Sequence, residues 1–282
     1  MIRELAANLP GMNSSFAHAQ PEIATRDLPY ADQGTPLTGF LCWDRAANRP
    51  RPGLLLIHGG AGLDDHARQQ ARRYAALGYT VLAGDMYGDG VAGSRERVMA
   101  ALMALRDDPA ALVGRGAAGL TALAACAEAA GPEAAGAAVA GPGLGVVGFC
   151  FGGLAALALA RSGQADLAAV VTMHGSLATT APAAPGAVRA RLLICHGAQD
   201  PHVPMTDVTA FAEEMTRAGA DWQVNVYGSA MHGFTHQHAV PGAQPGVAYD
   251  APADERSFAA ARDFLADALP RQSPAEAPTG TA

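Results

Sequence analysis

The sequence predicts an α/β fold: a mostly parallel, twisted sheet with helices on both faces. Three observations predict it. Short apolar runs alternate with helical segments along the chain. The run at 53–58, Gly-Leu-Leu-Leu-Ile-His, is almost wholly apolar and is followed by glycines, as in a strand buried on both faces. Half of the 282 residues are hydrophobic and only 16% are charged, enough for one large core.

The elements follow in order. Residues 22–30 and 36–43 form an opening pair of strands around a turn at Gly34-Thr-Pro36. After the strand at 53–58, a helix runs over 64–77 and closes at Gly78, and the next strand covers 80–85. Ser94 caps a second helical region, alanine-rich, that extends to about residue 130. A strand at 144–148 leads directly into a helix at 151–161. Strands at 168–174 and 191–196, a helix at 203–218 ending on Gly219, a strand at 222–227 and a helix at 254–269 complete the pattern. Residues 1–21 read as a loose arm, 22–269 as one domain, and the Pro-, Ala- and Thr-rich stretch 270–282 as a disordered tail.

Composition narrows the function. The net charge is -7 and the pI about 5.7, against the basic surface that nucleic-acid binding needs. All 19 cationic side chains are arginine, so Schiff-base and P-loop chemistry, which need lysine, are excluded. Cys42, Cys126, Cys150 and Cys195 have neither zinc-finger nor disulfide-framework spacing. The apolar stretches are too interrupted to span a membrane, and the first residues lack the basic and apolar regions of a signal peptide. A cytoplasmic protein with no membrane or nucleic-acid partner is expected.

The strongest motif is Gly148-Phe-Cys-Phe-Gly-Gly153, between an apolar strand and an apolar helix. This is the nucleophile-elbow pattern with cysteine as nucleophile. The helix N-terminus favours a thiolate there. A nucleophile needs a base and an orienting acid, in the order acid then histidine. Asp200 follows the strand at 191–196, and His232 follows the strand at 222–227, both on the edge of the sheet where such sites lie. The glycine run after His58 can aim a backbone N–H at an oxyanion; Gly60, with Phe151, is the candidate pair of donors. His58 and His196 are expected to bond loop backbone, and Cys126 and Cys195 to pack in the core. Two G-x-G-x-x-G matches, at 88–93 and 143–148, lack the context of a dinucleotide site. His232, His236 and His238 cluster without supporting ligands, so neither metal nor cofactor is expected.

Together these segments resemble the dienelactone hydrolase family of α/β-hydrolases, over about residues 22–268. The resemblance is carried by 56–63 (Leu-Ile-His-Gly-Gly-Ala-Gly-Leu), 77–88, the elbow, 196–200 (His-Gly-Ala-Gln-Asp) and 231–234 (Met-His-Gly-Phe). It implies hydrolysis of a small ester or lactone, with Cys150 as nucleophile, Asp200 as orienting acid and His232 as base. Many relatives carry a glutamate where Gly59 stands. The enzyme that names the family grips its substrate's carboxylate with two arginines, at positions that here read as Asp89 and His236. An uncharged substrate is therefore expected. Met86, Tyr87, Met231 and Phe234 either wall its pocket or simply pack; His174 lines the back of the pocket or caps its strand, and His236 completes the set. The alternative reading is a non-catalytic protein of the same fold that binds a small molecule. A redox role for Cys150 is weakened by the lack of a nearby resolving cysteine.

Overall fold

A computed structural model describes residues 21–269 except 89, 90, 92 and 142. The expected arm, all but its last residue, and the expected tail lie outside the described residues. Among those described, eight strands form one sheet. They are β1 (Ile23–Asp32), β2 (Thr35–Asp44), β3 (Gly53–Ile57), β4 (Thr80–Gly84), β5 (Leu144–Phe149), β6 (Leu167–Met173), β7 (Arg191–Gly197) and β8 (Trp222–Tyr227). Their order is β1-β2-β4-β3-β5-β6-β7-β8. The opening hairpin is antiparallel, and β2 joins β4 antiparallel. Every later neighbouring pair is parallel. The hairpin turns at Gln33 and Gly34, slightly earlier than the sequence suggests. Both have positive φ there, 45° and 85°, which lets the ladder extend to Asp32 opposite Thr35.

The helices are α1 (Asp65–Ala75), α2 (Arg95–Asp107), α3 (Pro109–Ala124), α4 (Cys126–Ala130), α5 (Phe151–Arg161), α6 (Met205–Ala218) and α7 (Ala251–Ala268). The alanine-rich region is thus not continuous. Asp108 leaves helical geometry, and its carboxylate accepts from the N–H groups of Ala110 and Ala111 while Pro109 opens the new helix. Ser94 does stand at the start of α2, but its side chain makes no capping bond. The last helix starts earlier than expected because Asp250 caps it through the Ala253 N–H.

Alternation along the strands divides the core. On β3, Leu55 and Ile57 face the layer that holds α3, α5 and α6, while Leu54 and Leu56 face the layer of α1 and α7. A buried ion pair ties two helices of the first layer. Arg161 at the end of α5 donates to both oxygens of Glu214 on α6, at 2.9 and 2.8 Å. Among the described residues no helix is long and apolar enough to cross a membrane.

The strand-to-helix turn from β5 to α5 leaves no room for side chains at its glycines. A Cβ on Gly148 would collide with the Gly152 carbonyl, and one on Gly152 with the Ile57 carbonyl of β3. Gly152→Ala is expected to cost about 3 kcal/mol or more, because backbone rather than a yielding side chain must move. Gly228→Ala, where nothing stands within 4 Å of the added Cβ, should stay within about 0.5 kcal/mol. Chemical denaturation of the two variants checks this; equal stabilities would contradict it.

Candidate active site

The turn holds Cys150 in a backbone conformation that side chains rarely adopt, φ 53° and ψ -114°. Such a residue costs about 1–3 kcal/mol and persists only when its surroundings enforce it. Here the Cys150 N–H donates to Met173 O of β6 (3.1 Å), and the Cys150 carbonyl accepts from Gly153 (3.0 Å). The sulfur is thereby presented at the first turn of α5. The backbone N–H groups of Phe151 and of Gly60, from the loop after β3, are directed at it.

Asp200 sits in the turn after β7. One carboxylate oxygen accepts from the N–H groups of His202 (2.8 Å) and Val203 (3.1 Å). The other accepts from His232 Nδ1 at 2.7 Å. His232 lies beyond β8, its backbone tied to Gly246 and Ala248. Its Nε2 is 3.0 Å from Cys150 Sγ. With Nδ1 donating to a carboxylate, Nε2 is the atom that shares a proton with the sulfur.

Electrostatics follow from these contacts. Burial pushes the Cys150 thiol up, but the bond and charge of His232, with the Gly60 and Phe151 N–H groups, bring it below its ordinary value. Burial pushes His232 down, yet its bonds to Asp200 and Cys150 lift it to about 10. Asp200 resists its own burial through the same contacts and stays below the usual carboxylate range. A thiolate–imidazolium pair is favoured, and it titrates as a unit.

The pair opens into a cleft of about 1000 Å³. Besides Cys150, His232, Gly60 and His236, its lining comes from Val98, Met99 and Leu102 of α2, from Asp64, Asp65 and His66 at the start of α1, and from Arg95. The expected pocket set is corrected here. Met86 and Phe234 are fully buried. Arg115 donates to the Met86 carbonyl. Tyr87 turns inward, stacking near His58 and Phe151 and donating its hydroxyl to Gly60 O at 3.1 Å. His174 is buried beneath the site on Thr235 and on the Phe234 ring. Met231 is 40% exposed and faces a separate small cavity. Of that set, only His236 lines the cleft. Asp89 lies outside the described residues. His58 meets expectation: Nδ1 donates to Gly59 O (2.7 Å) and Nε2 accepts from Met86 N (3.2 Å). His196 does not, since neither ring nitrogen finds a protein partner among the described residues.

Sequence reasoning missed the α1 and α2 walls. The signal for the first was available: Asp64, the cap of α1 through Ala67 N (3.0 Å), directly follows the glycine loop that reaches the sulfur. No local pattern marked Val98, Met99 or Leu102 of α2. His66 and His236 stack face to face, ring centroids 3.6 Å apart. Among the described residues no group of three or more His, Cys, Asp or Glu is arranged to hold a metal ion.

The sequence model of the dienelactone hydrolase family matches residues 37–269. Among solved structures the chain is similar to one described as m3DLH, with 38% identity and a TM-score of 0.77, covering 88% of this chain and 99% of that one. It is also similar to P91, a dienelactone hydrolase-like promiscuous phosphotriesterase from metagenomic libraries, with 36% identity, a TM-score of 0.78 and the same coverage of 88% and 99%. A Caenorhabditis elegans protein described as uncharacterized, K02A2.1, is 39% identical over 132 residues, which are 45% of this chain and 80% of that protein.

The four cysteines differ sharply. Cys42, Cys126 and Cys195 are buried, and burial pushes their thiols up to about 12, 11 and 12. Brief iodoacetamide treatment at neutral pH should therefore modify Cys150 first. Its rate should rise less between pH 7 and 9 than that of an ordinary thiol, which gains close to tenfold per pH unit below its pKa, because His232 and the two N–H groups lower the Cys150 thiol. Mass spectrometry of the peptides reads both results; labelling led by another cysteine would contradict the pairing with His232.

Proposed function

The chain belongs to the dienelactone hydrolase family of α/β-fold hydrolases, and from that footing we propose that it hydrolyses a small, uncharged carboxylic ester or lactone through Cys150, His232 and Asp200. The observation that carries this reading is the unbroken relay of Asp200, His232 and Cys150, at 2.7 and 3.0 Å, with two backbone donors at the sulfur. A protein that only bound small molecules would need no such relay.

The thiolate of Cys150 attacks the carbonyl carbon, and the carbonyl π electrons move to oxygen. The N–H groups of Gly60 and Phe151 stabilise that oxyanion, the contribution that is usually largest in acyl transfer. Collapse expels the alkoxide, which takes the Nε2 proton of His232 and leaves a thioester on Cys150. Water then gives a proton to Nε2 as its oxygen attacks the thioester. Collapse of the second oxyanion releases the acid and restores the thiolate–imidazolium pair. Asp200 holds the imidazole in the tautomer that both transfers need.

The charge around the cleft supports an uncharged substrate. Asp64 and Asp65 face it against the single guanidinium of Arg95 among the described lining, and the chain as a whole carries -7. The α2 wall of Val98, Met99 and Leu102 suits an apolar portion.

On p-nitrophenyl acetate, p-nitrophenyl butyrate and a panel of small lactones, Cys150→Ala should lower kcat/KM at least about 10³-fold with its circular dichroism unchanged. Cys150→Ser should keep a fraction of the activity. Near-normal turnover by the alanine variant would sink the mechanism. A methyl ester should also be turned over with higher kcat/KM than the same substrate carrying a free carboxylate in its place; the reverse order would point to an anionic substrate.

A further inference from the structure

We propose that His58 is a positioning residue of the oxyanion hole: its Nδ1 holds the carbonyl of the same peptide group whose N–H, that of Gly60, meets the Cys150 sulfur. This rests on the reading of Cys150 as the nucleophile.

The chain itself leaves that peptide free to turn. The group between Gly59 and Gly60 is set by ψ of the first residue and φ of the second. Both are glycines, which populate most of backbone space at little cost. A half-turn would swing the N–H away from the sulfur and bring the carbonyl oxygen into its place. An oxygen there repels a thiolate and any oxyanion formed beside it. The useful orientation therefore needs an outside hold on the carbonyl end.

His58 supplies it. Gly59 O lies 2.7 Å from His58 Nδ1 and accepts a second, longer bond from the Gly62 N–H at 3.2 Å. The other ring nitrogen decides which way the first bond runs. His58 Nε2 is 3.2 Å from Met86 N, and a backbone N–H can only donate. Nε2 therefore carries no proton, and the proton of the neutral ring sits on Nδ1, toward Gly59 O. The ring is wholly buried. Desolvation lowers its protonation against the Gly59 carbonyl and the charges of Asp85 and Asp64, and the net direction is down.

The ring is also held in place. Tyr87 packs edge-on against it at 4.7 Å between centroids, and Phe151 stacks on it at 6.4 Å. The Met86 end is fixed in turn. The Asp85 carboxylate accepts from the Tyr87 and Gly88 N–H groups, and the Asp85 N–H and carbonyl both bond the Tyr30 hydroxyl. The Tyr87 hydroxyl holds the next peptide at Gly60 O, 3.1 Å. The loop after β4 thus sets the loop after β3, and with it the donor. A donor oriented in advance need not reorganise as charge develops.

The test uses two substitutions that divide the ring's two bonds. His58→Asn puts an amide N–H where Nδ1 stands and gives up the bond to Met86. His58→Gln puts an amide oxygen near the place of Nε2 and gives up the bond to Gly59 O. On p-nitrophenyl butyrate, His58→Gln should lower kcat about ten- to hundredfold, with KM within about threefold of the wild type; losing a whole oxyanion donor costs about 10²–10³. His58→Asn should recover most of kcat even as its melting temperature falls. If kcat follows the melting temperature in both variants, or if His58→Gln keeps a normal kcat, the proposal is overturned. The pH profile of Cys150 alkylation by iodoacetamide separates this role from the hydrolytic reading, since the Gly60 N–H helps to lower the thiol. Its midpoint should move to higher pH in His58→Gln and return in His58→Asn. If the wild type hydrolyses no ester, the hydrolytic reading fails alone and the midpoint decides; an unmoved midpoint overturns the role of His58. If neither variant folds, the nitrogen-15 resonances of the wild-type ring decide. A proton on Nδ1 supports the proposal, and a proton on Nε2 overturns it.

Discussion

One backbone turn governs the site. Between the end of β5 and the start of α5 the chain reverses within a single residue, and that residue, Cys150, has φ 53°. The turn closes because α5 approaches β5 and β3 at the distance of backbone on backbone, with Gly148 against Gly152 and Gly152 against Ile57. The rest follows from this approach. The first free N–H of α5, that of Phe151, meets the sulfur. The chain leaving β3 passes close enough to bring the Gly60 N–H to the same atom. Strain on the order of 1–3 kcal/mol is retained because the parallel ladder on both sides of β5 fixes the turn.

The second organising feature is electrical. Histidines crowd the site, and their rings are close: His174 is 5.3 Å from His232 and 5.7 Å from His236, and His202 is 5.3 Å from His232. Burial keeps four of them neutral. His58, His66, His174 and His236 are all pushed down, with desolvation the largest cause in each case. His232 alone among them is lifted, to about 10, because Asp200 and Cys150 bond its two nitrogens. Among these five rings charge is favoured on His232 alone. The neutral neighbours contribute shape and hydrogen bonds, and they do not compete for the proton that the sulfur gives up.

What was legible in the sequence is local in the chain. The elbow, Asp200 and His232 each sit within five residues of a strand end, so hydrophobic runs and chain order placed them. Phe151 through Arg161 was readable as a helix because an apolar stretch follows the glycine turn directly. The cleft walls were not readable in this way. Met86 and Tyr87 follow β4 as the expected pocket residues should. Yet the Asp85 carboxylate binds the N–H groups of Tyr87 and Gly88, which curls the chain back so that both side chains go under the loop. Phe234 is two residues from His232 and points into the core while His232 reaches the cleft, since the loop doubles back there and His232 pairs with Val247 and Ala248. The α2 wall is set by how a helix after β4 crosses the mouth of the sheet, which no residue pattern within α2 encodes.

This division has a physical consequence for what the scaffold can vary. Cys150, Asp200 and His232 are fixed by strand ends and backbone hydrogen bonds, and in such a relay a misplacement of about 1 Å can cost about 10²-fold in rate. The cleft is bounded by elements under weaker constraint. In α2 only Val98 and Leu105 are buried, the Ser94 cap is unmade, and Met99 and Met103 face outward. Substitutions on its exposed positions remove little buried apolar area and leave no polar group stranded, so their stability cost stays within a few tenths of a kcal/mol to about 1 kcal/mol. His66 and His236 hold an intermediate place, since their stack leans on Thr235, and Thr235 in turn on His174 beneath the relay. A change at Thr235 would disturb the His66–His236 stack and the packing under His232 together, whereas a change at Met99 would reshape the cleft alone. On the proposed mechanism the fold thus separates the reacting atoms, held at strand ends, from the cleft walls supplied by α1 and α2.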